Sequence, residues 1–470
     1  MKDISNTIPS LAECLTYAGG TKYMVVKEGA FAELPQVLGS YFCENNSKKC
    51  FTACFSDKNT YTAAGKAVQE ILQTAGIPVA ESYIFEDDIH AEYKHVEKIK
   101  AILKTVQEKA EYGTQAILVP VAVGSGTIND LVKRAADELS LPYLCIPTAA
   151  SVDGYTAYGA ALLNEGFKQT MSCRAPIAVI ADSTVLSEAP AYLSSSGFGD
   201  LAGKIIAGTD WIIADHVFEL DGKGELAPGT APIENIAWSM VQNPLKNNLV
   251  SSVNAVKGDK DAVKILFEAL GITGFALQYM KDSRSVSGCE HMWSHVWEME
   301  ELCMDGIPVT HGHKVTIGTL AGAAFTECLF KEKPPLNKTV PNWAEREAVV
   351  RNTFAALPQI LPLVLKTTQD KFIGNTDKLI RLREGILDNW DNMRNDVFKK
   401  LLPYAELRSL LKDAGCPVRP EAINLTRERV IRSAYKAHMI RKRFTVLDLA
   451  FELGIFDTVL QKMEMSDYFG

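Results

Sequence analysis

The chain has 470 residues, with 49 Lys plus Arg against 57 Asp plus Glu, so its formal net charge is −8. That length exceeds what one core commonly fills and predicts two domains. The acidic balance argues against sequence-independent nucleic-acid binding and against an anionic membrane surface as partner. Four of the eight histidines fall between His291 and His313.

The N-terminal stretch through Leu15 has no basic region leading into a long apolar core, so it does not read as a signal peptide. No run approaches 18 uninterrupted apolar residues, and no membrane span is expected. The ten cysteines contain no C-x-x-C pair. A cytoplasmic chain with reduced thiols follows, with neither a zinc ribbon nor a disulfide framework.

In chain order, strands are expected at Tyr23–Val26, Cys50–Phe55, Pro78–Phe85, Ala116–Val123, Tyr143–Ile146 and Ala178–Ile180. Helical patterns separate the first five, around Phe31–Leu38, Ala63–Ala75, Ala91–Ala110 and Ile128–Leu139. Such alternation builds a mostly parallel sheet with helices on both faces. After about Asp182 the helical period dominates. Asp377–Leu401 and Pro420–Met439 are amphipathic, and a last helix begins near Phe444. The expected organisation is an α/β domain over residues 1–185 and an all-α domain over 186–470.

Three turns lie where strand C-termini gather. Gly124-Ser125-Gly126-Thr127-Ile128-Asn129-Asp130 joins a strand to a helix. Small residues and an uncapped helix N-terminus suit a pyrophosphate, although Asn129 stands where the full G-x-G-x-x-G fingerprint has its last glycine. Without ligand it would be a tight strand-to-helix turn. Asp57, ending the second strand, is either a ribose acceptor or a helix N-cap. The third turn, Pro147 to Gly154, is a nucleotide-facing or an ordinary connecting loop.

His291 and His295, four apart on an expected helix, share a face. The zincin pattern H-E-x-x-H fails, because Met292 follows the first His and Glu290 precedes it. His311-Gly312-His313 comes after a loop, with the next helix expected near Val315. Ser194–Leu201 reads as a loop entering a helix, with Asp200 near its start. One carboxylate and two imidazoles from separate helices would make a three-ligand site with open positions, suited to a catalytic divalent ion.

Together these motifs resemble the sn-glycerol-1-phosphate dehydrogenase family (bacterial branch), within the iron-containing alcohol dehydrogenase, glycerol dehydrogenase and dehydroquinate synthase-like superfamily. The most specific runs are PTAASVDGYTAYGAALL from Pro147, SGFGDLAGK from Ser196, EHMWSH with HGHKV, and FTVLDLAFELGIFD from Phe444. The resemblance implies an α/β N-terminal Rossmann-like nucleotide-binding domain plus an all-α C-terminal domain. It implies NAD- or NADP-dependent interconversion of sn-glycerol 1-phosphate and dihydroxyacetone phosphate. Gly124, Gly126, Thr127, Ile128, Asn129 and Asp130 match the pyrophosphate turn, Asp57 the ribose acid, and Thr148 and Ser151 further nucleotide contacts. Asp153 matches a substrate contact. Asp200, His291 and His311 match the ligands of one divalent ion (Zn, Ni or Fe), Asp200 also lying next to substrate. His295 matches a substrate contact and, with Asp200, is assigned to catalysis. One departure is Ala157, where the archaeal pattern has Ser.

In that reading the ion acts as Lewis acid at the substrate oxygen, and His295 or a water network relays the proton. Lys204 and Lys314 are phosphate-binding candidates beside the alternative of exposed helix lysines. Arg427, Arg429, Arg432, Lys436, Arg441, Lys442 and Arg443 read as a solvated helix face or dimer surface. The expected partners are a small phosphorylated substrate and a second copy, as a homodimer, with no nucleic acid and no membrane. A glycerol or polyol dehydrogenase, a dehydroquinate synthase-like cyclase and an inactive nucleotide-binding regulator are the competing readings.

Overall fold

The computed structural model describes residues 6–43, 49–86, 89–109, 116–164 and 167–469. Residues 1–5 of the N-terminal stretch and the expected helix end at Ala110 lie outside these. Six strands form one parallel sheet: β1 (Tyr23–Lys27), β2 (Cys50–Asp57), β3 (Val79–Phe85), β4 (Ile117–Gly124), β5 (Leu144–Pro147) and β8 (Ala178–Asp182). Their order is β1-β8-β5-β4-β2-β3. All six expected strands are present. β4 is an almost unbroken apolar run, buried from Leu118 to Gly124, as a strand covered on both faces requires.

Between β5 and β8 lies an antiparallel hairpin that the sequence reading missed, β6 (Gly159–Asn164) with β7 (Phe167–Ser172). The Ala161 N–H donates to Asp130 Oδ2 (3.0 Å) and the Leu163 N–H to the Ala91 carbonyl (2.7 Å). Both anchors come from distant segments, so local β-propensity carried no signal for β6.

Beyond β8 the described residues are helical apart from a two-residue hairpin, Cys303–Met304 with Ile307–Pro308. The segments at Asp377–Leu401 and Pro420–Met439 are each divided. The first is two helices, Thr376–Asp388 and Trp390–Lys400; the second is a 3₁₀ turn, Pro420–Ile423, followed by a helix, Arg427–Met439.

Contacts divide the chain into two units. One contains the sheet and holds Thr7–Leu201 with Lys246–Asp282; the other is helical and holds Ala202–Leu245 with Ser283–Gly470. The Lys260–Met280 helix thus belongs with the sheet. Its Gln278 accepts from the Gly20 N–H (2.7 Å) and donates to the Thr156 carbonyl (2.7 Å), while the Thr156 hydroxyl donates to the Gly271 carbonyl (2.7 Å). This helix is long and apolar enough to cross a membrane, but 67% of its apolar window is buried, as in a core helix.

Ala191–Phe218 is one continuous helix, which corrects the expected loop at Ser194–Leu201. Asp200 therefore lies well inside the helix, not near its start. Ser195 donates to the Tyr192 carbonyl (3.1 Å) and Ser196 to the Ser151 carbonyl (3.3 Å), so the hydroxyls are satisfied within the fold. A side chain at Gly197 would collide with the Ala150 carbonyl, so glycine here permits close approach.

Candidate active site

In the sheet unit, β4 ends at Gly124 and the next helix runs Gly126–Glu138. Ser125 is its N-cap, but its side chain makes no capping bond. At this end the Asn129 N–H donates to the Ser125 carbonyl (3.1 Å). The N–H groups of Gly126, Thr127 and Ile128 thus mark a helix end able to receive an anion. The Thr148 N–H donates to the Gly124 carbonyl (3.1 Å), tying the third turn to the first. Thr148 and Ser151 are buried there.

The other side chains of this turn serve the fold. Asn129 accepts from the Tyr143 hydroxyl (3.3 Å). Asp130 holds β6 and lies 3.5 Å from the Lys133 ammonium. Lys133, wholly buried, donates to the Gly154 carbonyl (2.6 Å) and the Gly159 carbonyl (3.0 Å). It pins both ends of the segment from Gly154 to Gly159, directly after Asp153. Asp57 is a helix N-cap: its Oδ1 accepts from the Thr60 N–H (2.8 Å), and its own N–H donates to the Thr60 hydroxyl (3.0 Å). Asp153 and Asp200 are brought together, with the Asp153 N–H donating to Asp200 Oδ2 (3.0 Å). Asp200 is completely buried.

In the helical unit, the Cys289–Met299 and His311–Leu329 helices bring three histidines together. Ring centroids are 5.3 Å apart for His291 and His311, 6.0 Å for His291 and His295, and 6.1 Å for His295 and His311. The second helix starts at His311, not near Val315, with Thr310 as its N-cap. His313, in the same first turn, has no part in these ring contacts; burial lowers its pKa to about 4.

Each of the three imidazoles meets a carboxylate through Nδ1. His291 Nδ1 is 2.6 Å from Glu290 Oε1, His311 Nδ1 is 2.9 Å from Glu298 Oε1, and His295 Nδ1 is 3.0 Å from Glu298 Oε2. A carboxylate accepts, so each proton belongs on Nδ1, and each Nε2 is left as the basic nitrogen. Burial lowers the His295 pKa against the opposing pull of Glu298, which keeps the ring neutral. Glu298 escaped the sequence reading, although its i, i+3 spacing from His295 on one helix was the available signal.

Lys204 and Lys314 are both buried, which corrects the reading of either as an exposed helix lysine. Lys314 Nζ lies 3.4 Å from Glu298 Oε1. The basic run is not one solvated face. Arg427 donates to the Met463 and Ser466 carbonyls (2.8 and 2.7 Å), Arg429 pairs with Glu300 (2.9 Å), and buried Arg443 donates to the Ser283 hydroxyl (2.8 Å). Arg432 does lie exposed, paired with Glu428. A second cluster, Asp210, Cys289 and Glu290, is wholly buried, with ligand atoms within 4.8 Å of one another. Burial and then Glu290 push Asp210 up to about 7.

Residues 25–190 match the family model described as iron-containing alcohol dehydrogenase. A glycerol-1-phosphate dehydrogenase [NAD(P)+] of Bacillus velezensis is 34% identical over 57% of this chain and 64% of its own. That of Bacillus subtilis is 30% identical over 68% of this chain and 75% of its own, and that of Geobacillus stearothermophilus is 27% identical over 92% of each. Among solved structures, glycerol dehydrogenase from Schizosaccharomyces pombe aligns with a TM-score of 0.57 at 15% identity, over 96% of this chain and 93% of the other. Sulfoacetaldehyde reductase from Bifidobacterium kashiwanohense, in complex with NAD+, aligns with a TM-score of 0.55 at 15% identity, over 96% and 99%. At such identity these structures speak to the fold alone.

Proposed function

Since this chain belongs to the glycerol-1-phosphate dehydrogenase family, within the iron-containing alcohol dehydrogenases, we propose that it interconverts sn-glycerol 1-phosphate and dihydroxyacetone phosphate by NAD(P)-dependent hydride transfer. The observation that carries this reading is the set of imidazoles whose Nδ1 atoms face carboxylates, which leaves Nε2 of His291 and His311 as donors. With Asp200, the third ligand that the family resemblance implies, they would make a His₂-carboxylate set that suits a divalent ion with open positions. Bound there, the ion would supply Lewis acidity at the substrate oxygen.

The remaining roles fall to the chain itself. The Gly126–Ile128 N–H groups receive the pyrophosphate, with Thr148 and Ser151 lining the nucleotide and Asp57 accepting from ribose through what its cap leaves available. Asp153, held by its N–H on Asp200, orients the substrate hydroxyls. His295, neutral and basic at Nε2, accepts or returns the hydroxyl proton. Ten free cysteines support a cytoplasmic setting. A homodimer is the proposed assembly, to be measured by light scattering.

The test is initial-rate NAD and NADP reduction with sn-glycerol 1-phosphate, its enantiomer and glycerol, after chelation and reloading with zinc, nickel or iron. Turnover on sn-glycerol 1-phosphate that needs the metal and drops at least about 100-fold in His295→Ala is expected. Preference for glycerol would move the chain to the polyol dehydrogenases. Full turnover of His295→Ala across the pH range would remove the relay.

A further inference from the structure

We infer that Glu298 is a shared positioning residue, one carboxylate that sets the tautomer of both the proposed metal ligand His311 and the proposed relay His295. It rests on the metal site proposed above for the meaning of His311, but its geometry stands by itself. Oε1 lies 2.9 Å from His311 Nδ1 and Oε2 lies 3.0 Å from His295 Nδ1, and the two rings are stacked at 27°. The Glu298 side chain is only 6% exposed, while those of the two histidines are 24% and 25% exposed. The carboxylate is therefore sheltered behind rings that face outward. Lys314 Nζ, itself buried, lies 3.4 Å from Oε1 on the same carboxylate.

Only a group that accepts at both oxygens can hold both Nδ1–H tautomers. A glutamine in its place keeps one acceptor and presents an N–H₂ donor to the other ring. That ring must then turn its proton to Nε2, where it can neither bind a metal nor accept a proton. Orienting partners of metal ligands commonly change affinity by roughly 10–100-fold when removed.

The experiment uses the full-length, metal-stripped chain with ¹⁵N-labelled histidine. Long-range ¹⁵N–¹H correlation spectra report which ring nitrogen carries the proton, with His295 and His311 assigned by single replacement. The expected result is Nδ1–H for both rings in the wild type. In Glu298→Gln, at least one should switch to Nε2–H, and where that ring is His311 the Zn²⁺ Kd, measured by chelator competition, should rise roughly 10–100-fold. An Nε2–H tautomer for either ring in the wild type overturns the inference, as do unchanged tautomers in Glu298→Gln, or unchanged Zn²⁺ affinity where His311 is the ring that switches. The wild-type spectrum decides even where the variant does not fold. His311→Ala separates the two readings: undiminished Zn²⁺ binding there defeats the metal site, while the wild-type tautomers still decide the role of Glu298.

Discussion

Asp448 lies buried between Lys371, 2.6 Å away, and His438, 3.3 Å away. Burial alone would raise its carboxyl, but Lys371 and His438 hold it at about 2. Glu452 sits in the same interior without so close a cation, and burial followed by repulsion from Asp448 pushes it up from 4.5 to about 7. The two act in opposite senses. The stability supplied by Asp448 is present above its ordinary pKa and is lost as pH falls toward 2. That supplied by Glu452 is full below 4.5 and is lost as pH rises through 7. Glu452→Gln should therefore flatten the pH dependence between about pH 4.5 and about pH 7, with a thermal midpoint that falls less than the wild type's across that window. Parallel slopes for the two proteins would show that Glu452 does not titrate in that window. At this scale the sequence revealed residue types but not partners. Asp57 was legible as either a cap or a ribose acid, and only the Thr60 bonds showed that the cap is made.

The Cys289–Met299 and His311–Leu329 helices cross closely enough that a side chain at Gly318 would strike the Glu290 backbone carbonyl. Gly→Ala inside a helix ordinarily stabilises by about 1 kcal/mol. Here overpacking, at about 1–3 kcal/mol, is the larger effect. Gly318→Ala should therefore lower stability in chemical denaturation, and should weaken Zn²⁺ binding by displacing His291, next to Glu290. A stabilised variant with wild-type Zn²⁺ affinity would contradict this. Helix existence was legible wherever the 3.6-residue period was strong, as at Arg427–Met439. It failed at Ser194–Gly199, where weak helix formers fold into a helix because packing satisfies their hydroxyls and needs their small size.

At the scale of the whole molecule, a ligand that binds only the folded chain stabilises it by mass action, about 2.7 kcal/mol at 100 times Kd. The zinc-loaded chain should melt higher than the chelator-treated one, and His291→Ala should abolish the difference. Equal midpoints with and without zinc in the wild type would argue against a site of useful affinity. With a net charge of −8, the overall field does not attract an anionic nucleotide or a phosphorylated substrate. Attraction has to come from local N–H groups at the Gly126 helix end and from the ion.

The sequence by itself determined the six strands, the change from alternation to helices, the strand-to-helix turn at Gly124 and the clustering of histidines. Each is written in hydrophobic period or in short spacing, which local chain geometry converts directly into structure. Only the tertiary structure decided that the Lys260–Met280 helix packs with the sheet unit, that β6 hangs on Asp130, and that Lys133 holds the loop after Asp153. It alone placed one carboxylate, Glu298, behind two histidines from different helices. These depend on side chains far apart in sequence meeting in a water-poor interior, where each buried polar group must find its partner and no local pattern records which one it finds.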